Sequence, residues 1–189
     1  MEIIQTPIRD LVVIQPRVFK DPRGFFLETF QSQRYEGAGI AGPFVQDNHS
    51  RSAAGVLRGL HFQKNHPQGK LIYVVKGAVF DVSVDLRSGS PTFGRWYGTT
   101  LSDENNRQMY VPPGFAHGFC VLSESVDFIY KCTDFYHPED EGGLLWNDPD
   151  LAIEWPVGSP ILAPRDMEFP RLTELRPEDL PQAAYEEAS

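Results

Sequence analysis

The sequence predicts an all-β fold, a double-sheet jelly roll, on three observations. Short runs of β-branched and aromatic residues follow one another at close spacing, with Pro, Gly, Asn and Asp between them. Only one stretch of the first half carries a helical signal. The chain of 189 residues suits one well-cored domain, the usual size being roughly 100 to 200 residues.

Taken in order, Ile3-Ile4, Leu11 to Ile14 and Gly24 to Phe30 read as opening strands separated by Pro7, Pro16 and Pro22. Ser32 is placed to cap a single helical turn through Tyr35, stopped by Gly37 and Gly39. Strands are then expected at Phe44–Ser50, Val56–Gln63, Lys70–Lys76, Ala78–Leu86, Gly94–Leu101, Arg107–Val111, Gly118–Leu122 and Val126–Thr133. From Tyr136 to Pro149 the pattern becomes a long turn-rich loop, and long ordered loops are often functional. The domain is expected to span 1–170, and the acidic, Pro-punctuated stretch 171–189 to form a surface tail with at most one short helix.

Composition excludes several classes. A hydrophobic fraction of 41% with 12% aromatics belongs to a globular protein, and no apolar run approaches the length of a membrane helix. The N-terminal residues have neither the basic nor the apolar region of a secretory signal, so a cytoplasmic location is the expectation. The net charge of −9 argues against nucleic-acid binding but not against a small anion, which senses local Arg and Lys. Cys120 and Cys132 lack metal or redox spacing and read as buried thiols.

Chemistry concentrates in Arg58-Gly59-Leu60-His61-Phe62-Gln63, followed by Lys70 and Gly77, and in Pro112-Pro113-Gly114-Phe115-Ala116-His117. These segments resemble the two half-motifs of cupins, in which two His and one Glu normally bind a metal. Here Gln63 holds the second His position and Lys70 lies about where an acidic ligand would be sought, so no metal is expected in the barrel. His61 is the natural base, since an imidazole titrates near neutrality. Standing alone it would be read as a satisfied core histidine. Lys70 alternates with Ile72 and Val74, which turns it inward, costly unless the charge is used. Simple alternation also places Arg58 and His61 on opposite faces, so if both reach one ligand Gly59 should mark a bulge, or the site should lie at the strand's end.

Several further motifs occur in one order: Arg23-Gly24-Phe25-Phe26-Leu27-Glu28, Gln46-Asp47-Asn48-His49-Ser50, Tyr130-Lys131-Cys132-Thr133-Asp134 and Leu145-Trp146-Asn147-Asp148-Pro149. Together with the half-motifs they closely resemble the dTDP-4-dehydrorhamnose 3,5-epimerase family over nearly everything before Pro170. The resemblance implies a cofactor-free, metal-free cupin-type jelly roll, a homodimer with exchanged strands, and epimerisation of a dTDP-4-keto-6-deoxyhexose. It gives His61 the partner Asp166 and makes Tyr130 the acid on the opposite face of the sugar, where position alone would favour a core tyrosine. Lys70 would face the enolate oxygen and His117 the sugar or its carbonyl, with Asp81 behind them. Arg23 and Arg58, with Arg165 as a third, are candidates for the diphosphate, for no glycine-rich phosphate loop is present. Phe25 and Tyr136 are candidates to stack on thymine, and Glu28, Gln46, Asn48 and Glu141 carry over as polar contacts. Phe26 is left to the core. Phe135 and Cys132 depart from commoner family residues without an evident change of function. The competing readings are a C3-only or C5-only epimerase, a non-catalytic cupin that binds sugar nucleotides, and a metal-dependent cupin.

Overall fold

Alternating apolar residues, stopped by turn-forming ones, become antiparallel strands in the computed structural model, which describes residues 1–40 and 42–185. The strands are β1 Glu2–Gln5, β2 Val12–Gln15, β3 Val18–Asp21, β4 Gly24–Leu27, β5 Gln46–Ala53, β6 Leu57–Gln63, β7 Lys70–Lys76, β8 Ala78–Asp85, β9 Trp96–Ser102, β10 Gln108–Val111, β11 Phe115–Val121, β12 Ser125–Cys132 and β13 Glu141–Gly143. One α-helix occurs among the described residues, α1, covering Ser32–Glu36. Its cap is Gln31, whose side chain accepts from the Arg34 N–H, rather than Ser32 as the sequence suggested.

Two sheets face each other. One has the order β1-β2-β10-β7-β12-β5, the other β13-β6-β11-β8-β9, and β3-β4 forms a separate hairpin. The expected all-β double sheet is therefore present. Two strands escaped the sequence reading: β3, between Pro16 and Pro22, and β13, inside the long loop. β11 begins three residues before the expected Gly118, and β4 ends at Leu27 rather than Phe30.

Three apolar layers follow from the two-residue period. Between the sheets lie Ile72, Val74, Met109, Val111 and Phe128 from one side and Val79, Leu101, Phe119 and Val121 from the other. Phe119 and Phe128 stack there with centroids 4.1 Å apart. The outer face of the five-stranded sheet carries Leu60, Phe62, Val82 and Val84 beneath Leu144, Leu151 and Trp155. The other outer face packs Val12, Ile14, Leu71 and Tyr110 against Tyr35 of α1. Phe26 departs from expectation: it is 69% exposed, because the β3-β4 hairpin joins neither sheet and its ring only borders an open cavity beside β7.

The described part of the stretch after Arg171 runs along the body. Leu172 N–H donates to Asp148, Gln182 N–H to the Lys64 carbonyl and Tyr185 N–H to the Ser88 carbonyl. Residues 186–189 of the expected tail lie outside the described residues.

The feature that shapes the inner face is a bulge in β6. His61 pairs with His117 and Arg58 with Phe119, so Gly59 and Leu60 together oppose Gly118. Because His117 and Phe119 both face inward, Arg58 and His61 do too. The bulge is possible because Gly59 has φ +115° and lies close to β11: a Cβ there would meet Gly118 Cα and the His117 carbonyl oxygen at 2.7 Å. Both obstacles are backbone. Gly59→Ala should lose at least about 2 kcal/mol of stability, from the disfavoured φ and the overlap together. Urea unfolding reads this directly, and an unchanged midpoint would show that β6 can relax away from β11.

Candidate active site

Between the sheets, at the end where the inner-face residues turn polar, lies a cavity of about 360 Å³. Its wall includes His61, Lys70, His117, Tyr130, Arg58, Arg165, Tyr136, Glu141, Gln46 and Asn48. The structure thus gathers ten of the sequence-predicted residues around one space. Asp166 joins them from behind.

His61 Nε2 lies 2.8 Å from Asp166 Oδ1, and Asp166 Oδ2 accepts the Gly59 N–H at 3.2 Å. Asp166 sits in a 3-10 turn, Pro164–Met167, that follows the outer-face loop back to β6. Burial acts to raise its pKa, but His61, the Gly59 N–H and Arg165 together bring it below the ordinary value. An ionised Asp166 requires a proton on Nε2, so Nδ1 is the nitrogen left to accept one. The Phe169 ring stands edge-on to the imidazole at 5.7 Å, and Glu141 Oε1 is 3.9 Å from Nδ1.

Next to it on β11, His117 bonds through Nε2 to both oxygens of Asp81, at 2.9 and 3.0 Å. Asp81 is fully buried. Burial raises the Asp81 pKa and lowers that of His117, their mutual attraction opposing both shifts. Lys70 enters from the opposite sheet, on β7. Burial lowers its pKa, with Cys132, Asp81 and Glu141 acting the other way. No described residue takes a hydrogen bond from its ammonium or from the Tyr130 hydroxyl one strand away. Burial raises the Tyr130 pKa, so this phenol keeps its proton at neutral pH.

At the mouth, Glu141 receives Arg165 at 2.6 and 3.1 Å and the Tyr136 hydroxyl at 2.9 Å. Gln46 accepts the Tyr136 N–H and donates to Asn48. Arg58 is held by Ser52 Oγ at 3.0 Å. Three predicted residues are not brought here within the chain. Arg23 is paired with its neighbour Asp21, Phe25 is 63% exposed, and Glu28 pairs with Arg34, all on or beside the β3-β4 hairpin.

Three residues that position the site went unrecognised. Gln63 is used entirely by backbone: it donates to the His66 and Phe135 carbonyls and accepts the His137 N–H. Phe169 packs on His61, and Ser52 orients Arg58. Only Gln63 had a signal, its place in the cupin spacing.

A family model described as dTDP-4-dehydrorhamnose 3,5-epimerase matches residues 5–174. A dTDP-4-dehydrorhamnose 3,5-epimerase of Pseudomonas aeruginosa is 55% identical over 168 residues, covering 88% of this chain and 93% of that protein. One of Neisseria gonorrhoeae is 53% identical over 88% of this chain, which spans 51% of that longer protein. Among solved structures, dTDP-6-deoxy-D-glucose-3,5-epimerase of Legionella pneumophila, in complex with dTDP-4-keto-L-rhamnose, superposes with a TM-score of 0.94 at 54% identity, covering 98% of this chain and 99% of its own.

Because the folded state lowers the Asp166 pKa, this carboxylate contributes stability above its unfolded pKa, near 3.9, that is lost as pH falls through the folded value. The stability difference between the parent protein and Asp166→Asn should therefore be widest near neutrality and close in acid. Urea unfolding at a series of pH values checks it; a gap that stays constant down the acid limb would mean that Asp166 is not held as the ion.

Proposed function

We infer that this chain, which belongs to the dTDP-4-dehydrorhamnose 3,5-epimerase family, is a sugar-nucleotide epimerase inverting the carbons beside the C4 ketone of a dTDP-4-keto-6-deoxyhexose. One observation carries the mechanism: His61, backed by Asp166, comes from one sheet, and Tyr130 comes from the other, on opposite walls of a single cavity. Inversion requires that a proton leave one face of a carbon and another arrive at the opposite face, and two walls with different groups meet that requirement.

A proton on carbon next to a ketone is weakly acidic. His61 Nδ1 takes it, Asp166 stabilises the resulting imidazolium, and the electron pair moves onto O4 as an enolate. Lys70 and His117 face that oxygen. A preorganised cation in a cavity shielded from water is worth several kcal/mol to the developing charge. Tyr130 then gives its proton to the other face, and the two groups return to their starting states through solvent. Arg58 and Arg165 take the diphosphate, Tyr136 the base, and Gln46, Asn48 and Glu141 the remaining polar edges.

We also propose that two copies pair through the β3-β4 hairpin, so that Arg23, Phe25 and Glu28 complete the other copy's site. The hairpin exposes Phe19, Phe25 and Phe26 by 49%, 63% and 69%, more apolar surface than a lone hairpin holds in water without a partner. Light scattering should give a dimer, and Arg23→Ala should weaken dTDP-sugar binding with little effect on turnover at saturation. A fully active monomer would overturn the pairing.

The sharper test separates acid from base. Tyr130→Phe keeps the ring and removes the donor, so deprotonation by His61 should survive while inversion falls by about 10² to 10⁴. In deuterated water with dTDP-4-keto-6-deoxyglucose, the variant should exchange hydrogen at C3 or C5 faster than it inverts that carbon. Parent-rate inversion at both carbons would make Tyr130 a core residue only.

A further inference from the structure

Outside the cavity, His66, Asp134 and His137 place one ligand atom each within 4.8 Å of one another, the group of three metal-capable side chains found among the described residues. We propose that they form a surface site for one divalent transition-metal ion of the zinc class, beside the mouth of the cavity and separate from the reaction. The donor set is two imidazoles and a carboxylate, which suits zinc, nickel, copper or cobalt rather than magnesium or calcium.

The geometry is close to what an ion needs. The two imidazole rings are stacked at 4.1 Å with 21° between their planes, and His66 Nδ1 lies 3.6 Å from Asp134 Oδ2. Ligand atoms around a tetrahedral zinc lie about 3.3 Å apart, so an ion would have to draw these three atoms, now within 4.8 Å of one another, closer together. Glu139 Oε1, 3.6 Å from His137 Nδ1, stands where a carboxylate orients a metal-bound imidazole.

The backbone under the three side chains is already fixed, and this distinguishes the group from a chance meeting of surface residues. The amide of buried Gln63 binds both histidine-bearing segments at once, through the His66 carbonyl and the His137 N–H. Buried Asp140 accepts the Asn65 and His66 N–H groups. Gln68 donates to the Asp134 carbonyl, and Gly69 and Thr133 exchange two further bonds. An ion would therefore have to order little more than three side chains. It would also tie together two loops whose next residues, Pro67 and Gln68 on one side and Tyr136 on the other, line the cavity.

The test uses tag-free, chelator-treated protein and zinc chloride, with no substrate, so its outcome is independent of the epimerase assignment. Equilibrium dialysis should give one zinc per chain, with His66→Ala and His137→Ala each weakening binding at least tenfold, about the loss expected from disturbing a metal ligand. Hydrogen exchange should show zinc protecting residues 64–68 and 134–137 in the parent and not in the double variant. His66 is exposed and His137 half-buried, so these variants should melt like the parent. Equal zinc uptake by the parent and the melt-matched double variant would overturn the proposal, as would the absence of saturable uptake by the parent.

Discussion

Everything in the cavity depends on how closely β6 approaches β11 at Gly59 and Gly118. There the two strands meet glycine to glycine, with no room for a side chain on either. The contact lets two residues of β6 oppose one of β11. Without the extra residue, Arg58 would point to the outer apolar layer whenever His61 pointed into the cavity, and one of the two would be buried against Leu144 and Trp155 with no partner for its charge. The bulge also aims the Gly59 N–H at Asp166, so one local distortion sets both the face of His61 and the seat of its carboxylate partner.

The inner faces divide along their length. Phe119 and Phe128 floor the cavity: behind them the sheets meet as an apolar layer, and in front of them they carry Lys70, Asp81, His61, His117 and Tyr130. The dry end supplies cohesion that the polar end lacks. The polar end stays tolerable because its charges see one another: Asp81 attracts both His117 and Lys70, and Asp166 answers His61. Lys70 and Tyr130 make no side-chain hydrogen bond to any described residue, as is true also of buried Ser83 Oγ, and the first two sit on neighbouring strands of one sheet. A ketone oxygen and an adjacent carbon between the sheets would meet both.

Two periods explain what could be read from the chain. Strand alternation is local, so β7, β8 and β12 emerge within a residue of their bounds from side-chain pattern alone. β3 and β13, four and three residues long, lack the unbroken apolar run that made the comparably short β2 and β10 legible and do not stand out between turn residues. Phe26 departs for a different reason: aromatic content signals burial in general, whereas the β3-β4 hairpin pairs with neither sheet and only borders an open cavity beside Tyr73 and Val75, which leaves the ring 69% exposed. Site residues divide in the same way. His61 and Lys70 announce themselves by being polar in apolar strands. Asp166 is 105 positions away from His61 and lies in a 3-10 turn without periodicity, so only likeness to a family could join them.

Gln63 shows why a missing metal ligand need not leave a gap. In the cupin spacing its position belongs to a donor that points at an ion. Here the side chain is neutral, and it carries a donor and an acceptor where imidazole or carboxylate would offer a lone pair to the metal. Both ends are spent on backbone, closing the loops at the cavity mouth onto each other. The exchange alters the chemistry available inside. In the proposed mechanism, charge on the enolate oxygen is met by the lysine across the cavity instead of a cation that would need its own cage, and the proton traffic is left to an imidazole on one sheet and a phenol on the other. A fold that elsewhere organises ligands around a metal can thereby organise them around the substrate, provided that both sheets stay at the separation the dry layer sets.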